Sequence, residues 1–89
     1  MSMLAVVTGG DRGIGRATSL MLSKNGYDVV FTYKSNEDKA METLSELRKH
    51  GNAECYKLDV TNFDDVEDFF REIGKKYEAI GVLVNNAGI

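Results

Sequence analysis

Thr8-Gly9-Gly10-Asp11-Arg12-Gly13-Ile14-Gly15 joins an apolar run, Met3-Leu4-Ala5-Val6-Val7, to a segment with helical periodicity. An unbroken apolar run of that length reads as a strand buried on both faces. After the glycines, Ile14, Ala17, Met21 and Leu22, with Leu20 beside them, recur at near-helical spacing as the expected apolar stripe, and Asn25-Gly26 supplies a left-handed C-terminal cap. The glycines therefore sit in a strand-to-helix turn.

A turn of that kind has a chemical consequence. The first N–H groups of a helix have no intrahelical partner and carry partial positive charge, so they attract a phosphate. A side chain at Gly9, Gly13 or Gly15 would hold a pyrophosphate off those donors or clash with the sharp turn. Gly10 and Gly15 have the spacing of a Walker loop, but Arg16-Ala17 follow where Lys and a hydroxyl residue are needed, so no magnesium ligand is supplied. The simple GxGxxG pattern also fails, because Thr18 stands where its last glycine would be. The pattern that fits is TGxxxGxG. The residues alone leave open a tight turn that holds no ligand.

Outward from the loop, helices and strands alternate. Val29-Val30-Phe31-Thr32-Tyr33 is rich in β-formers and makes a second strand. Ser35 or Asn36 caps a second helix with Glu37 and Asp38 in its first turn, an apolar stripe of Ala40, Met41, Leu44 and Leu47, and a stop at Gly51. A third strand runs near Ala53 to Leu58. Thr61 or Asn62 then caps a third helix whose buried stripe is Val66, Phe69, Phe70, Ile73 and Tyr77. Val82-Leu83-Val84 makes a fourth strand. Strands separated by helices of this length pair in parallel through right-handed crossovers. The expected architecture is α/β, a Rossmann-type parallel sheet of order 3-2-1-4 with three helices, half of a doubly wound fold. Its crevice opens at the carboxyl ends of strands 1 and 4, where the glycine loop and the Asn85–Gly88 turn both emerge.

Size and composition exclude several classes. With 43% hydrophobic and 28% charged residues and no proline, the 89-residue chain reads as one small globular domain rather than a disordered one. A net charge of −3 without a dense basic patch argues against a nucleic-acid surface. No apolar run approaches a membrane span, and no basic segment with a cleavage site opens the chain. The lone cysteine, Cys55, falls inside a strand as a core thiol and suits a reducing cytoplasm. His50, in the last turn of the second helix, reads as a helix-end residue. Asp64, Asp65, Glu67 and Asp68 read as a solvated helix face rather than a carboxylate pair or a metal site.

The loop resembles that of the short-chain dehydrogenase/reductase family, TGxxxGIG, matched by Thr8, Gly9, Gly13, Ile14 and Gly15. A second family motif, NNAG after the fourth strand, stands at Asn85-Asn86-Ala87-Gly88, and Asp59-Val60 lies just past the third strand, where family members contact the adenine. Within the family, the residues most resemble the 3-oxoacyl-[acyl-carrier-protein] reductases. The resemblance implies a nicotinamide dinucleotide held by Thr8, Gly9, Gly10, Asp11, Arg12, Gly13, Ile14 and Gly15, by Tyr33, Lys34 and Ser35, by Asp59 and Val60, and by Asn86, Ala87 and Gly88.

The end of the second strand selects between cofactors. An NAD site places Asp or Glu there for the ribose hydroxyls. Here Tyr33-Lys34-Ser35 stands at the strand end, and no acid follows before Glu37. Arg12 and Lys34 match basic residues that meet the 2′-phosphate in NADP-using family members, so NADP(H) is expected over NAD(H). Read alone, both side chains are also compatible with simple solvation.

Carbonyl reduction in the family depends on a serine and on a tyrosine followed four positions later by lysine. Tyr27 is followed at that spacing by Phe31, Tyr33 by Glu37, Tyr56 by Val60 and Tyr77 by Gly81, so no such pair exists. The expectation is a truncated cofactor-binding half of an NADP-dependent oxidoreductase, with the catalytic and substrate half absent and no turnover by itself. The fourth strand, left as an edge, would pair with another copy. A non-catalytic nucleotide-binding or interaction module is the alternative. An S-adenosylmethionine domain fits less well, because it too wants an acid after the second strand.

Overall fold

The computed structural model describes residues 3–11 and 13–86. Four strands, β1 (Leu4–Thr8), β2 (Asp28–Tyr33), β3 (Ala53–Lys57) and β4 (Ile80–Asn85), alternate with three helices, α1 (Gly13–Lys24), α2 (Glu37–Arg48) and α3 (Phe63–Lys76). The sheet is parallel in the order β3-β2-β1-β4. Ala5 pairs with Val29 on one side and Val82 on the other, and Val7 with Phe31 and Val84. The β1–β4 register slips between Leu4 and Ala5, where Gly81 has no partner. Two crossovers carry the chain from β1 to β3, and α3 returns it across the opposite face to β4, which creates the topological switch between β1 and β4.

Alternation along the central strands divides the core in two. Val7, Val29, Phe31, Tyr33 and Ala53 pack under Ala40, Leu44 and Leu47 of α2, with Leu20 and Leu22 of α1 half-buried beside them. Leu4, Val6, Val30 and Leu58 pack instead under Phe69 and Ile73 of α3. Phe69 meets Tyr56 and Phe70 edge to face, with centroids 5.4 and 5.0 Å apart, an arrangement aromatic quadrupoles favour. Asn36 caps α2 through the Lys39 N–H at 3.0 Å, and Asn62 caps α3 through the Asp65 N–H at 3.2 Å. In each case the second of the two expected cap residues is used.

Four sequence expectations need correction. The buried face of α1 is Gly15, Ser19 and Ser23, whereas Ile14, Ala17 and Met21 face outward, Ile14 at 77% exposure. Small residues at i, i+4 and i+8 let the helix lie close to the sheet, and apolar periodicity alone points to the wrong side. In α2, Met41 is exposed and Thr43 takes the buried place beside Leu44. His50 lies beyond α2, in an exposed turn where its N–H donates to the Leu47 carbonyl at 2.9 Å. β1 extends through Thr8, and β4 through Asn85, so both motifs begin inside the sheet.

Candidate functional site

The carboxyl ends of β1, β2 and β3 open into a cleft of about 510 Å³. Its walls are the glycine loop, the β2–α2 turn and the segment after β3. Of the residues expected at the site, Gly9, Asp11, Gly13, Ile14, Tyr33, Lys34, Ser35, Asp59, Val60 and Asn86 line it. Arg12, Ala87 and Gly88 lie outside the described residues. A second concavity of about 460 Å³, bounded by Asp28, Arg48, Glu54 and Tyr77, lies at the opposite ends of β2 and β3, away from both motifs.

The glycines serve different purposes. Gly9 and Gly13 have φ of 69° and 59°, a region that L side chains enter at a cost. Among the described residues other than its chain neighbours, a Cβ on Gly13 would meet nothing within 4 Å. Gly15 answers a packing demand: its Cβ would overlap the Gly9 carbonyl oxygen and stand 2.7 Å from Asn86 Nδ2. Gly10 is buried between β2 and α1, where a Cβ would approach Phe31 Cβ to 2.5 Å and Ser19 Oγ to 2.9 Å. It holds the loop against the core rather than facing the cleft.

Backbone bonds position the loop. Gly9 N–H donates to Thr32 Oγ1 at 3.2 Å and Gly10 N–H to the Thr32 carbonyl at 3.0 Å. Those two amides are therefore engaged, whereas the amides of the first turn of α1, Gly13 to Gly15, belong to the group that an α-helix leaves without intrahelical partners, the kind of donor that suits an anion. Asn86 Nδ2 donates to the Gly9 carbonyl at 3.2 Å, and Asn86 N–H to Thr8 Oγ1 at 3.0 Å. Thr8, 6% exposed, thus ties the loop to the end of β4.

At the β2 end, Lys34 and Ser35 are exposed on the cleft wall, whereas the Tyr33 ring is buried in the core under α2. Burial raises the Tyr33 pKa above its ordinary value. Its expected part at the site is accordingly limited to shaping the wall. Asp59 Oδ1 accepts from Thr61 Oγ1 at 2.6 Å and Thr61 N–H at 2.9 Å. The Thr61 hydroxyl, then its amide, and more weakly the Lys34 ammonium hold the Asp59 carboxyl below its ordinary range. Asp59 stays ionised opposite Lys34.

Thr32, Asn36, Leu58 and Thr61 also line the cleft, beyond the residues the sequence singles out. Asn36 and Thr61 carry cap signals and Thr32 a strand signal. Nothing in those patterns says that Thr32 would reach across to Gly9. First-turn amides of α1 that have no intrahelical partner, and Lys34 on the cleft wall, suit a phosphate-bearing dinucleotide, and the volume admits its adenosine end.

The short chain dehydrogenase family model matches residues 3–89. The 3-oxoacyl-[acyl-carrier-protein] reductase FabG of Staphylococcus epidermidis is 37% identical over 90 residues, a match that covers 100% of this chain and 37% of that protein. The chain thus spans little more than a third of that relative's length. Acetoin dehydrogenase from Enterobacter cloacae superposes with a TM-score of 0.89 at 35% identity, covering 100% of this chain and 36% of that one. The Pseudomonas aeruginosa RhlG/NADP active-site complex gives 0.87 at 28% identity, over 98% of this chain and 34% of that one.

Proposed function

The chain belongs to the short-chain dehydrogenase family, and from that premise we propose that it is the cofactor-binding half of an NADP-dependent carbonyl reductase of the 3-oxoacyl-[acyl-carrier-protein] reductase type. The observation that carries the cofactor choice is the end of β2. Lys34 stands exposed on the cleft wall, and no carboxylate lies between Val29 and Asn36 to meet a ribose diol or repel a 2′-phosphate.

In this reading the amides of Gly13, Ile14 and Gly15 hold the pyrophosphate, Lys34 with Ser35 and Arg12 receives the 2′-phosphate, Asp59 and Val60 face the adenine, and Asn86, Ala87 and Gly88 border the nicotinamide side. Thr8, Gly9, Gly10 and Asp11 shape the loop that presents those groups. The bound dinucleotide supplies hydride chemistry at a carbonyl or alcohol carbon. These residues bind and orient it, and none is offered as a proton donor, since no tyrosine here is followed at four positions by lysine. The 89 residues form one dinucleotide-binding domain that does not turn over alone, with catalysis assigned to a further substrate-binding half.

Two related expectations belong to the same reading. The edge of β4, Ile80-Gly81-Val82-Leu83-Val84-Asn85, carries no charge or proline to discourage strand pairing. Self-association through it predicts a mass above the monomer in light scattering, and a monomer at high concentration refutes it. The half-buried free thiol of Cys55, whose pKa burial raises, suits a reducing cytoplasm, and neither nucleic acid nor membrane is a proposed partner.

Calorimetric titration with NADPH and NADH side by side tests the assignment, with Lys34→Ala and Arg12→Ala as paired variants. Tighter NADPH binding that those substitutions selectively weaken is the expected result, since each charge-assisted phosphate bond contributes about 1.5–3 kcal/mol. Equal losses for both cofactors would remove the reason for choosing NADP. Binding of neither would favour a module without cofactor chemistry.

A further inference from the structure

The two glycine amides that open the loop are held by β2, but the loop's middle is held by another element. Thr43 lies inside α2 at 0% exposure, and its Oγ1 donates to the Asp11 carbonyl at 2.9 Å. A threonine hydroxyl inside a helix ordinarily bonds a carbonyl of its own preceding turn. This one leaves its helix and reaches a loop 32 residues earlier in the chain. One turn further along the same face of α2, the Leu47 carbonyl accepts from Ser23 Oγ of α1 at 3.3 Å. Two buried hydroxyl bonds therefore fix α2 against the loop and against the helix that follows it.

The consequence lies at the other end of α2. That helix emerges from the turn carrying Lys34, Ser35 and Asn36 on the cleft wall, and Asp11 of the loop lines the same cleft while Arg12 follows it in sequence. Thr43 does not border the cleft. A shift of α2 relative to the loop would change the separation of the two walls that the 2′-phosphate has to bridge. A valine would fill nearly the same volume and leave the Asp11 carbonyl without its donor, so apolar packing gives no reason for the hydroxyl.

We infer that Thr43 is a positioning residue for cofactor choice: its bond to the Asp11 carbonyl sets the spacing between the glycine loop at Asp11 and the turn bearing Lys34. The inference rests on the NADP reading above.

The test compares Thr43→Val, which removes the donor, with Thr43→Ser, which keeps it, on two readouts in the 89-residue chain. One is the affinity for NADPH and NADH by calorimetry, and the other is amide hydrogen exchange across residues 9–15 without ligand. Thr43→Val should weaken NADPH about tenfold more than NADH and speed exchange in the loop, and Thr43→Ser should restore both. Where Thr43→Val does not fold, Thr43→Ala supplies the same comparison. Equal losses of NADPH and NADH, or exchange unchanged in the loop, would overturn the inference while leaving the NADP reading intact. A parent chain that binds NADPH no better than NADH would overturn the NADP reading and this specificity role with it, even if loop exchange still responds to Thr43→Val.

Discussion

Two helical glycines should respond in opposite directions to the same substitution. In Gly15→Ala the new methyl overlaps the Gly9 carbonyl oxygen and crowds Asn86 Nδ2 at 2.7 Å. The Gly9 carbonyl is held by the Asn86 bond and its amide by Thr32, so the backbone cannot give way without breaking contacts that join β1, β2 and β4. Forcing a methylene into a packed site costs about 1–3 kcal/mol, and more where backbone must move. The better helix propensity of alanine returns about 1 kcal/mol. In Gly74→Ala the methyl meets nothing within 4 Å, and only the propensity gain remains, about 0.5–1 kcal/mol. For a domain of this size each kcal/mol moves the melting temperature by about 4–8 °C. Because the overlap at Gly15 is with backbone, its overpacking cost lies at the upper end of the range, about 3 kcal/mol, or about 2 kcal/mol net. Gly15→Ala should therefore melt roughly 8–16 °C below the parent and Gly74→Ala about 2–8 °C above it, followed by far-ultraviolet circular dichroism. A Gly15→Ala chain as stable as the parent would refute the close-approach account of this glycine. A Gly74→Ala chain that loses stability would show that propensity is the wrong account of the other.

Two further outcomes follow from local chemistry. Asn62→Ala removes the oxygen that caps the Asp65 amide and should lower stability by about 0.5–2 kcal/mol, read as a lower urea midpoint with an unchanged slope. Glu54 accepts from Lys76 Nζ at 3.0 Å and from Tyr77 OH at 2.9 Å. Chiefly through the Lys76 bond, its carboxyl is held below the ordinary 4.5, while burial and then the bond to Glu54 push the Tyr77 hydroxyl up to about 12. A depressed carboxyl stabilises the fold above its unfolded pKa, and that stability is lost as pH falls through the folded value. Glu54→Gln should therefore be less stable at neutral pH, by about 0.5 kcal/mol for a partly exposed pair, and converge with the parent in acid. Parallel stability curves from neutral to acidic pH would count against the network.

The site is legible in residue types that allow few conformations. Glycines at 9 and 13 mark positive φ, Asn36 and Asn62 mark helix starts, and an apolar run between turns marks a buried strand, all of them short-range properties of the chain. The buried face of α1 has no such local mark, because the helix packs through what it lacks. Gly15, Ser19 and Ser23 are buried because they are small, and hydrophobic periodicity gives small polar residues no weight. Met41 and Thr43 exchange the places that hydropathy gives them for a related reason. The Thr43 hydroxyl has a partner 32 residues away that satisfies it in the core, and no local pattern reports that partner.

The chain by itself determined the order of elements, the parallel pairing and the place where the glycine loop opens, since these depend on local propensity and on the short list of topologies that connect alternating strands and helices. Tertiary structure alone decided which amides of the loop remain for a ligand. Thr32 takes those of Gly9 and Gly10, and Asn86 and Thr43 take the carbonyls of Gly9 and Asp11. Each bond joins residues that are distant in sequence and adjacent in space, and its existence depends on how closely two elements pack, a quantity set by the whole core.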